Sequence, residues 1–204
     1  MSSGFAAVVP QRSRFFLLAI GLISLVVVAL AVQSSIQVRA QEDPVEVSAG
    51  DVSELIPEIN EANGRTEPTI ITLTSSEYVL TAPDNGDNGL PVVTGDITIE
   101  GNGATIRRDS SSSFRILNIA ESGILTLNHV TISGVDSGNL DGNGIYNDAG
   151  VVTLTDTTIS GNLSSSGDAS ETYGGGIFNN SGELTLTNST VSGNEASFGG
   201  GIAN

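Results

Sequence analysis

The sequence has 204 residues, of which 15% are charged and 4% are aromatic, and it contains no cysteine or tryptophan. The absence of cysteine excludes a disulfide scaffold, a thiolate zinc site and a cysteine nucleophile. Lysine is absent too, so seven arginines stand against 23 acidic residues and the formal charge is −16. A chain this acidic is a poor candidate for binding nucleic acid or anionic lipid head groups.

The first forty residues have the pattern of an export signal. Arg12 and Arg14 precede a low-polarity run over residues 15–32, and residues 38–40 have the small or modest side chains of a cleavage site. We predict a secretory signal peptide over residues 1–40 and an extracellular or cell-surface location, with an uncleaved N-terminal anchor as the alternative. This segment holds three arginines and no acidic residue, so its removal changes the formal charge from −16 to −19. Export without cysteine favours a bacterial protein.

The segment that follows predicts a linker and then one helix. Residues 41–50 have the composition of a linker. From Asp51 onward, apolar residues recur at helical spacing, Asp51 and Glu54 resemble a capping box, and an Asn-Gly pair supplies the stop. Pro57 conflicts with a continuous helix, so either the helix begins at Pro57 or an irregular turn precedes it. We predict an N-terminal cap over residues 51–66 that covers an apolar end of the next domain.

From residue 118 onward the sequence repeats itself three times. The aligned blocks are 123–127, 150–154 and 182–186; 131–134, 158–161 and 190–193; and 144–147, 176–179 and 201–204. From the glycine that ends each second block to the first glycine of the next Gly-rich segment, at residues 142, 174 and 199, lie 7, 12 and 5 residues. Successive copies are offset by 27, 32 and 25 residues, and subtracting the loop lengths from these offsets leaves 20 each time. A coil of constant length therefore carries one loop of variable length, always at the same place.

Each coil contains three short segments of alternating β-branched or leucine residues, punctuated by glycine and asparagine. One coil cannot bury its apolar side, whereas coils stacked about 4.8 Å apart bury it and pair every strand. We predict an all-β fold, a parallel β-helix over residues 67–204 with three short strands per coil, preceded by the short capping helix. The expected interior stacks are Leu125/Val152/Leu184, Leu127/Leu154/Leu186, Ile132/Ile159/Val191 and Ile145/Ile177/Ile202, beside a polar ladder of Asn147/Asn179/Asn204.

The pattern extends upstream with lower fidelity and gives four to five coils in total. The upstream segments are 69–73, 78–80, 95–99, 104–106 and 114–117. The insert at residues 82–91 is a loop by composition. The sequence stops at Asn204 without a polar cap, and solenoids need caps. We therefore expect the N-terminal part of a longer protein, with a swapped or stacked dimer as the alternative.

The coils resemble the right-handed parallel β-helix of the pectate-lyase-like superfamily. More closely, they resemble bacterial exported proteins with polymorphic outer-membrane-protein-type repeats, which pair a Gly-Gly-small-Ile block with an aromatic-x-x-Asn block. Residues 175–177 and 200–202 match the first block, and residues 159–162 and 191–194 match the second with an aliphatic residue in place of the aromatic one. Residues 53–63 are similar to the Cys-Ser-Leu-Arg-Glu-Ala-type segment before such helices. The resemblance implies a right-handed solenoid at the cell surface or cell outer membrane.

The superfamily includes lyases and hydrolases of acidic polysaccharides, so catalysis has to be considered. Pectate-lyase-like chemistry needs Ca²⁺ with a lysine or arginine, and polygalacturonase-like hydrolysis needs three clustered aspartates with a Gly-His-Gly segment. A charge of −19 repels a polyanion. Residues 107–109 could form a small basic spot, but we interpret them as a solvated turn. We interpret His129, which aligns with Asp156 and Asn188, as a turn residue, and we predict no catalytic residue.

Two acidic, glycine-rich loops offer oxygen ligands for Ca²⁺. Asp84 and Asp87 lie in one loop, and Asp136 and Asp141 in the other, at short spacing but without the late bidentate glutamate of an EF-hand. Ordinary turns explain the same composition, because Asn and Asp tolerate left-handed backbone. These four aspartates are the candidate metal ligands, and no other cofactor is predicted.

The sequence favours a secreted or cell-surface scaffold, adhesin-like, with variable binding loops at residues 135–141, 162–173 and 194–198. Its expected partner is an extracellular glycan or protein that contacts these loops, with no nucleic acid partner and no membrane-surface binding by the solenoid. The alternative is a carbohydrate-active β-helix enzyme, a polysaccharide lyase or glycoside hydrolase, whose catalytic coils lie beyond residue 204.

Overall fold

The computed structural model describes residues 45–134, 138–164 and 171–204, which form a parallel β-solenoid of about 5 turns with one short helix. The predicted signal peptide lies outside the described residues. Helix α1 spans Val52–Asn63. The strands are β1 (Val45–Ala49), β2 (Thr69–Leu73), β3 (Glu77–Leu80), β4 (Asp96–Glu100), β5 (Thr105–Arg108), β6 (Leu117–Ile119), β7 (Ile124–Asn128), β8 (Thr131–Ser133), β9 (Ile145–Asp148), β10 (Val151–Thr155), β11 (Thr158–Ser160), β12 (Ile177–Asn180), β13 (Glu183–Thr187), β14 (Thr190–Ser192) and β15 (Ile202–Ala203).

The strands form three parallel sheets. Sheet 1 has 6 strands in the order β1-β2-β4-β7-β10-β13, sheet 2 has 5 in the order β14-β11-β8-β5-β3, and sheet 3 has 4 in the order β15-β12-β9-β6. Most neighbours within a sheet are not consecutive in sequence, which is the pairing that stacked coils produce. The predicted parallel stacking is therefore confirmed.

The registers place equivalent repeat positions directly above one another. Leu125 pairs with Val152 in sheet 1, and Ile132 pairs with Ile159 in sheet 2. All four side chains are fully buried, so these predicted interior stacks are confirmed. The last members of the stacks are more open, as Ile202 shows with 39% exposure, because among the described residues β13, β14 and β15 each have a neighbouring strand on one side only.

The asparagine ladder is also present inside the solenoid. Asn147 is fully buried and its Nδ2 donates to Asn179 Oδ1 at 2.7 Å. Asn179 Nδ2 in turn donates to Asn204 Oδ1 at 2.6 Å. In the turn before, Ile119 occupies the position of Asn147. The predicted axial amide bonding is confirmed and begins at Asn147.

The turn that joins sheet 1 to sheet 2 repeats one unusual backbone conformation. Asn102, His129, Asp156 and Asn188 have φ of 52°, 53°, 49° and 50°. Asparagine, aspartate and histidine are the non-glycine residues enriched in this left-handed region. The interpretation of His129 as a turn residue is confirmed, and its exposed Nε2 lies 3.5 Å from Asp156 Oδ2.

Helix α1 packs against the core beside β1, β2 and β4. Its buried side chains are Leu55, Ile59 and Ala62. The helix begins after Asp51, whose carboxylate accepts from the Glu54 backbone N–H at 3.1 Å. The capping box prediction is thus confirmed on the Asp51 side.

Two predictions for this N-terminal part are wrong. The expected linker at residues 41–50 contains β1, which pairs in parallel with β2 and supplies the sheet with its first strand. Helix α1 also runs through Pro57 instead of beginning there. Pro57 and Ser53 are both exposed, so the Ser53 carbonyl that loses its helical partner faces water.

The insert at residues 82–91 is only partly a loop. It turns tightly, with the Asp84 N–H donating to the Asn88 carbonyl at 2.8 Å, and then bonds along the next turn of the chain. The Gly89 N–H donates to the Arg115 carbonyl at 2.7 Å. Part of the predicted strand at 114–117 is bonded to this insert, and sheet 3 begins only at Leu117.

Candidate binding surface

Four of the six aromatic side chains in the described residues lie together on the outside of the solenoid. Tyr78 and Phe114 are buried in the core. The other four are half-buried or exposed and form the aromatic patch, which consists of Tyr146, Tyr173, Phe178 and Phe198. In a chain with so few aromatic residues, this concentration on one surface singles the patch out.

The four rings of the patch form a continuous row in which each ring contacts the next. The Tyr146 and Phe178 centroids are 5.5 Å apart with an interplanar angle of 60°. Tyr173 stacks on Phe178 at 5.7 Å and on Phe198 at 5.2 Å. At the other end of the series, the Arg115 guanidinium carbon lies 4.6 Å from the Tyr146 centroid. These separations are those of favourable edge-to-face, offset-stacked and cation–π contacts.

Strand alternation places the first two rings. In β9 and β12, Ile145 and Ile177 point into the core, so the residues that follow them point outward. Tyr146 and Phe178 are in register across the two strands. The outward face of sheet 3 therefore carries one ring above another.

Glycine turns place the other two rings. Tyr173 precedes Gly174 and Phe198 precedes Gly199, whose φ values are 61° and 57°. A Cβ at Gly174 would clash with the Ile177 carbonyl oxygen, so only glycine fits there. The tight turn returns each loop to sheet 3, so that Tyr173 lies beside Phe178 on β12 and Phe198 lies beside Tyr173.

The described parts of the three variable loops, residues 138–141, 162–164, 171–173 and 194–198, are hydrogen-bonded to one another, and we call them the loop strip. Ser164 Oγ donates to the Leu140 carbonyl at 2.6 Å, which joins the first loop to the second. The Ser197 N–H donates to Thr172 Oγ1 at 3.1 Å, which joins the second to the third. Residues 135–137 and 165–170 lie outside the described residues.

Arg115 stands among acidic groups at the edge of the patch. Burial lowers the pKa of Arg115, and the carboxylate charges of Asp87, Asp141 and Asp148 oppose that shift. Within the described ranges no carboxylate forms an ion pair with Arg115, and its buried Nε has no hydrogen-bond partner there. The cation is held by charge and by the Tyr146 ring rather than by direct hydrogen bonds.

The four candidate Ca²⁺ ligands do not share one environment. Asp84 accepts from Asn85 Nδ2 at 2.9 Å within its own turn, and Asp141 accepts from the Tyr173 N–H at 2.7 Å. Asp87 and Asp141 both act on Arg115, so they are brought to the same region, whereas Asp136 lies outside the described residues. No group of three or more His, Cys, Asp or Glu side chains that could hold a metal occurs in the described part of the chain. Ca²⁺ binding stays a prediction.

The segment 107–109, two arginines followed by an aspartate, is not a solvated turn throughout, because both arginines belong to β5. Arg107 pairs with Glu77 at 2.6 Å and with Asp109 at 2.9 Å, and these hydrogen bonds raise its pKa. Arg108 is 4% exposed, lies 5.2 Å over the Phe114 ring, and donates to the Phe114 carbonyl at 3.3 Å. The interpretation as a solvated turn is wrong for Arg108, because an inward strand position and a ring hold its guanidinium inside.

Sequence reasoning missed the aromatic patch and Arg115, although a signal was present. Tyr-Gly-Gly-Gly and Phe-Gly-Gly-Gly end the second and third loops, and Gly-Ile-Tyr-Asn and Gly-Ile-Phe-Asn begin two strands. Aromatic residues thus recur at equivalent outward positions of the repeat. Arg115 lies before the regular repeats, so no alignment of blocks identifies it.

No known protein family, characterised protein or solved structure matches this chain. In the described ranges no helix has the length and hydropathy of a membrane span. The site is therefore interpreted from its own geometry, which is a scaffold of sheets bearing a loop strip and an aromatic patch.

Proposed function

We propose that the chain is an exported, adhesin-like β-helix that presents a binding surface on a rigid scaffold. The surface consists of the loop strip and the aromatic patch, and its partner is an extracellular glycan or protein. The observation that carries the proposal is the hydrogen bonding of three loops of unequal length into one strip beside the exposed rings. Loops supported in this way vary in sequence without disturbing the sheets, which is how repeat scaffolds generate binding surfaces.

The proposal includes a right-handed solenoid with three strands per coil, related to the pectate-lyase-like superfamily and to exported bacterial proteins with polymorphic outer-membrane-protein-type repeats. Three parallel sheets and the repeat blocks support it, together with the strong preference of parallel crossover connections for the right hand. Export and a cell-surface location rest on the sequence pattern of residues 1–40 and on the repeat resemblance.

The test is a binding screen of the full chain against extracellular glycans and matrix proteins, followed by two matched variants. Phe198→Ala removes a ring that is 48% exposed in the patch, and Ile124→Ala removes an apolar side chain that is 40% exposed on sheet 1. We expect Phe198→Ala to weaken binding of a captured ligand at least about fivefold and Ile124→Ala to leave it unchanged. A screen without any ligand, or equal losses in both variants, contradicts the proposal.

The same screen tests the enzyme alternative. Release of unsaturated uronides or of reducing ends from a polysaccharide panel would show turnover. Turnover that survives Phe198→Ala and disappears on substitution of an aspartate would replace the scaffold proposal with the carbohydrate-active one.

A further inference from the structure

One corner of the aromatic patch combines a ring with a cation whose hydrogen-bonding capacity is unused. Three of the four arginines in the described ranges donate to protein oxygens: Arg65 and Arg107 to carboxylates, and Arg108 to backbone carbonyls. Arg115 instead lies over Tyr146, with a buried Nε that has no partner among the described residues. A guanidinium provides five N–H donors, so this corner has donors to offer.

Hydrogen-bond acceptors surround the same corner. Asp141 and Asp148 stabilise the charge of Arg115 without forming an ion pair with it. The Asp148 side chain is exposed, and among the described residues it accepts one hydrogen bond, from Asn180 Nδ2 at 2.9 Å. Asn118, in register with Tyr146 on the adjacent strand, has a buried Oδ1 without a partner in the described residues. Donors and acceptors therefore stand near one another without satisfying one another.

We propose that this corner binds a neutral oligosaccharide, with a sugar ring on the Tyr146 and Phe178 side chains and its hydroxyl groups between Arg115 and Asp148. The C–H face of a pyranose packs on aromatic rings. A sugar hydroxyl accepts a hydrogen bond from a guanidinium and donates one to a carboxylate at once, which no simple anion or cation does. The inference rests on the proposed function and names the ligand class of its surface.

Charge selects the neutral sugar over an acidic one. Three aspartates act on the single cation of this corner, so the local charge is negative even with Arg115 in place. The chain after residue 40 has a formal charge of −19, which repels a polyuronate before contact. A neutral polysaccharide is repelled neither by the local charge of the corner nor by the net charge of the chain.

The experiment is isothermal titration of the full chain with cellohexaose, mannohexaose and hexagalacturonate. We expect at least one neutral hexasaccharide to bind, and hexagalacturonate to bind at least about tenfold more weakly. Arg115→Gln and Tyr146→Leu should each weaken binding about fivefold to tenfold, whereas Tyr146→Phe, which keeps the ring, should bind like the unmodified chain. Arg107→Gln is the matched control. It removes the same charge on another sheet and should leave the affinity for the oligosaccharide unchanged.

Circular dichroism checks that each variant keeps its β-sheet spectrum, and the pair Arg115→Gln and Arg107→Gln keeps the test decisive where Tyr146→Leu does not fold. Tighter binding of hexagalacturonate, absence of binding by both neutral sugars, or equal affinities for Arg115→Gln and Arg107→Gln would overturn the inference. A ligand from the screen that Phe198→Ala loses but Arg115→Gln and Tyr146→Leu retain, with no neutral sugar bound, would leave the proposed function standing and refute only this site. A ligand unaffected by Phe198→Ala would refute the proposed function itself.

Discussion

The buried asparagine ladder gives the sharpest stability prediction, through the substitution Asn147→Ala. Asn147 Nδ2 donates to Asn179 Oδ1 at 2.7 Å and to the Gly150 and Glu183 carbonyls at 3.1 Å each. The amide has two protons, so two net hydrogen bonds are lost, at about 1–1.5 kcal/mol each. The acceptors stay behind in a solenoid interior where Asn147 is fully buried, which brings the expected loss of unfolding free energy to about 3 kcal/mol.

Asn128→Ala is the matched control on the outside of sheet 1. Asn128 Nδ2 makes one bond, to Glu100 Oε1 at 2.7 Å, and both groups reach solvent. Its loss should cost about 0.5–1 kcal/mol. Urea unfolding followed by circular dichroism gives both values. An unchanged slope of the unfolding free energy against urea concentration shows that each variant exposes the same surface area on unfolding as the unmodified chain. A difference of less than about 1 kcal/mol between Asn147→Ala and Asn128→Ala would refute the role assigned to the ladder.

Three further substitutions test the backbone and the helix cap. His129→Gly should stabilise the fold by about 0.5–1 kcal/mol, seen as a raised Tm, because glycine adopts φ of 53° without steric cost; a lowered Tm would count against this. Gly174→Ala should lower the unfolding free energy, measured by urea denaturation, by about 2 kcal/mol or more. Gly134 has no positive φ, and a Cβ there would lie 3.3 Å from its nearest neighbour, so Gly134→Ala should lower the unfolding free energy by less than about 1 kcal/mol. The Ser53 hydroxyl, and then backbone N–H groups of α1, lower the pKa of Asp51 below 3.8. Its carboxylate therefore stabilises the fold above that pH and loses this effect as the pH falls through the lowered pKa, so the urea midpoints of Asp51→Ala and the unmodified chain should differ at pH 7 and converge near pH 2.

The repeats predicted register because parallel stacking places equivalent positions above one another. Aligning Leu125 with Val152 and Leu184 is the same operation as pairing β7 with β10 and β13. The left-handed turn residues follow the same logic, since each turn of the solenoid must close in the same way. Where the sequence repeats, alignment therefore amounts to a contact prediction.

Segments without a repeated copy resisted prediction. Residues 45–49 are short and have no second copy, and only pairing with the distant β2 makes them a strand. Residues 89–90 bond to the backbone of residues 115–116, although composition alone indicates a loop. Pro57 lies inside α1 because the burial of Leu55 and Ile59 outweighs one lost hydrogen bond on the exposed side. Tertiary contacts decided all three.

The aromatic patch was hidden for a different reason. Tyr173 and Phe198 each precede the glycine triplet of their coil and so align with each other, but neither occupies the same aligned position as Phe178 or Tyr146, so alignment predicts no contact between the loop rings and the strand rings. They meet only because both loops return to sheet 3 through equivalent glycine turns. The proximity is a property of the solenoid rather than of any one segment.

The substitution Arg115→Met distinguishes a structural role of Arg115 from a role in binding. Its contact with Tyr146 is worth about 0.5–1 kcal/mol, and a methionine there would regain about 0.3–1.5 kcal/mol from its own contact with the ring. Because no ion pair with a described carboxylate is lost, Arg115→Met should change the unfolding free energy by less than about 1 kcal/mol. The same substitution removes the hydrogen-bond donors of the corner, so binding of the neutral hexasaccharide should fall about tenfold. A large loss of stability with unchanged binding would show that Arg115 supports the fold and not a ligand.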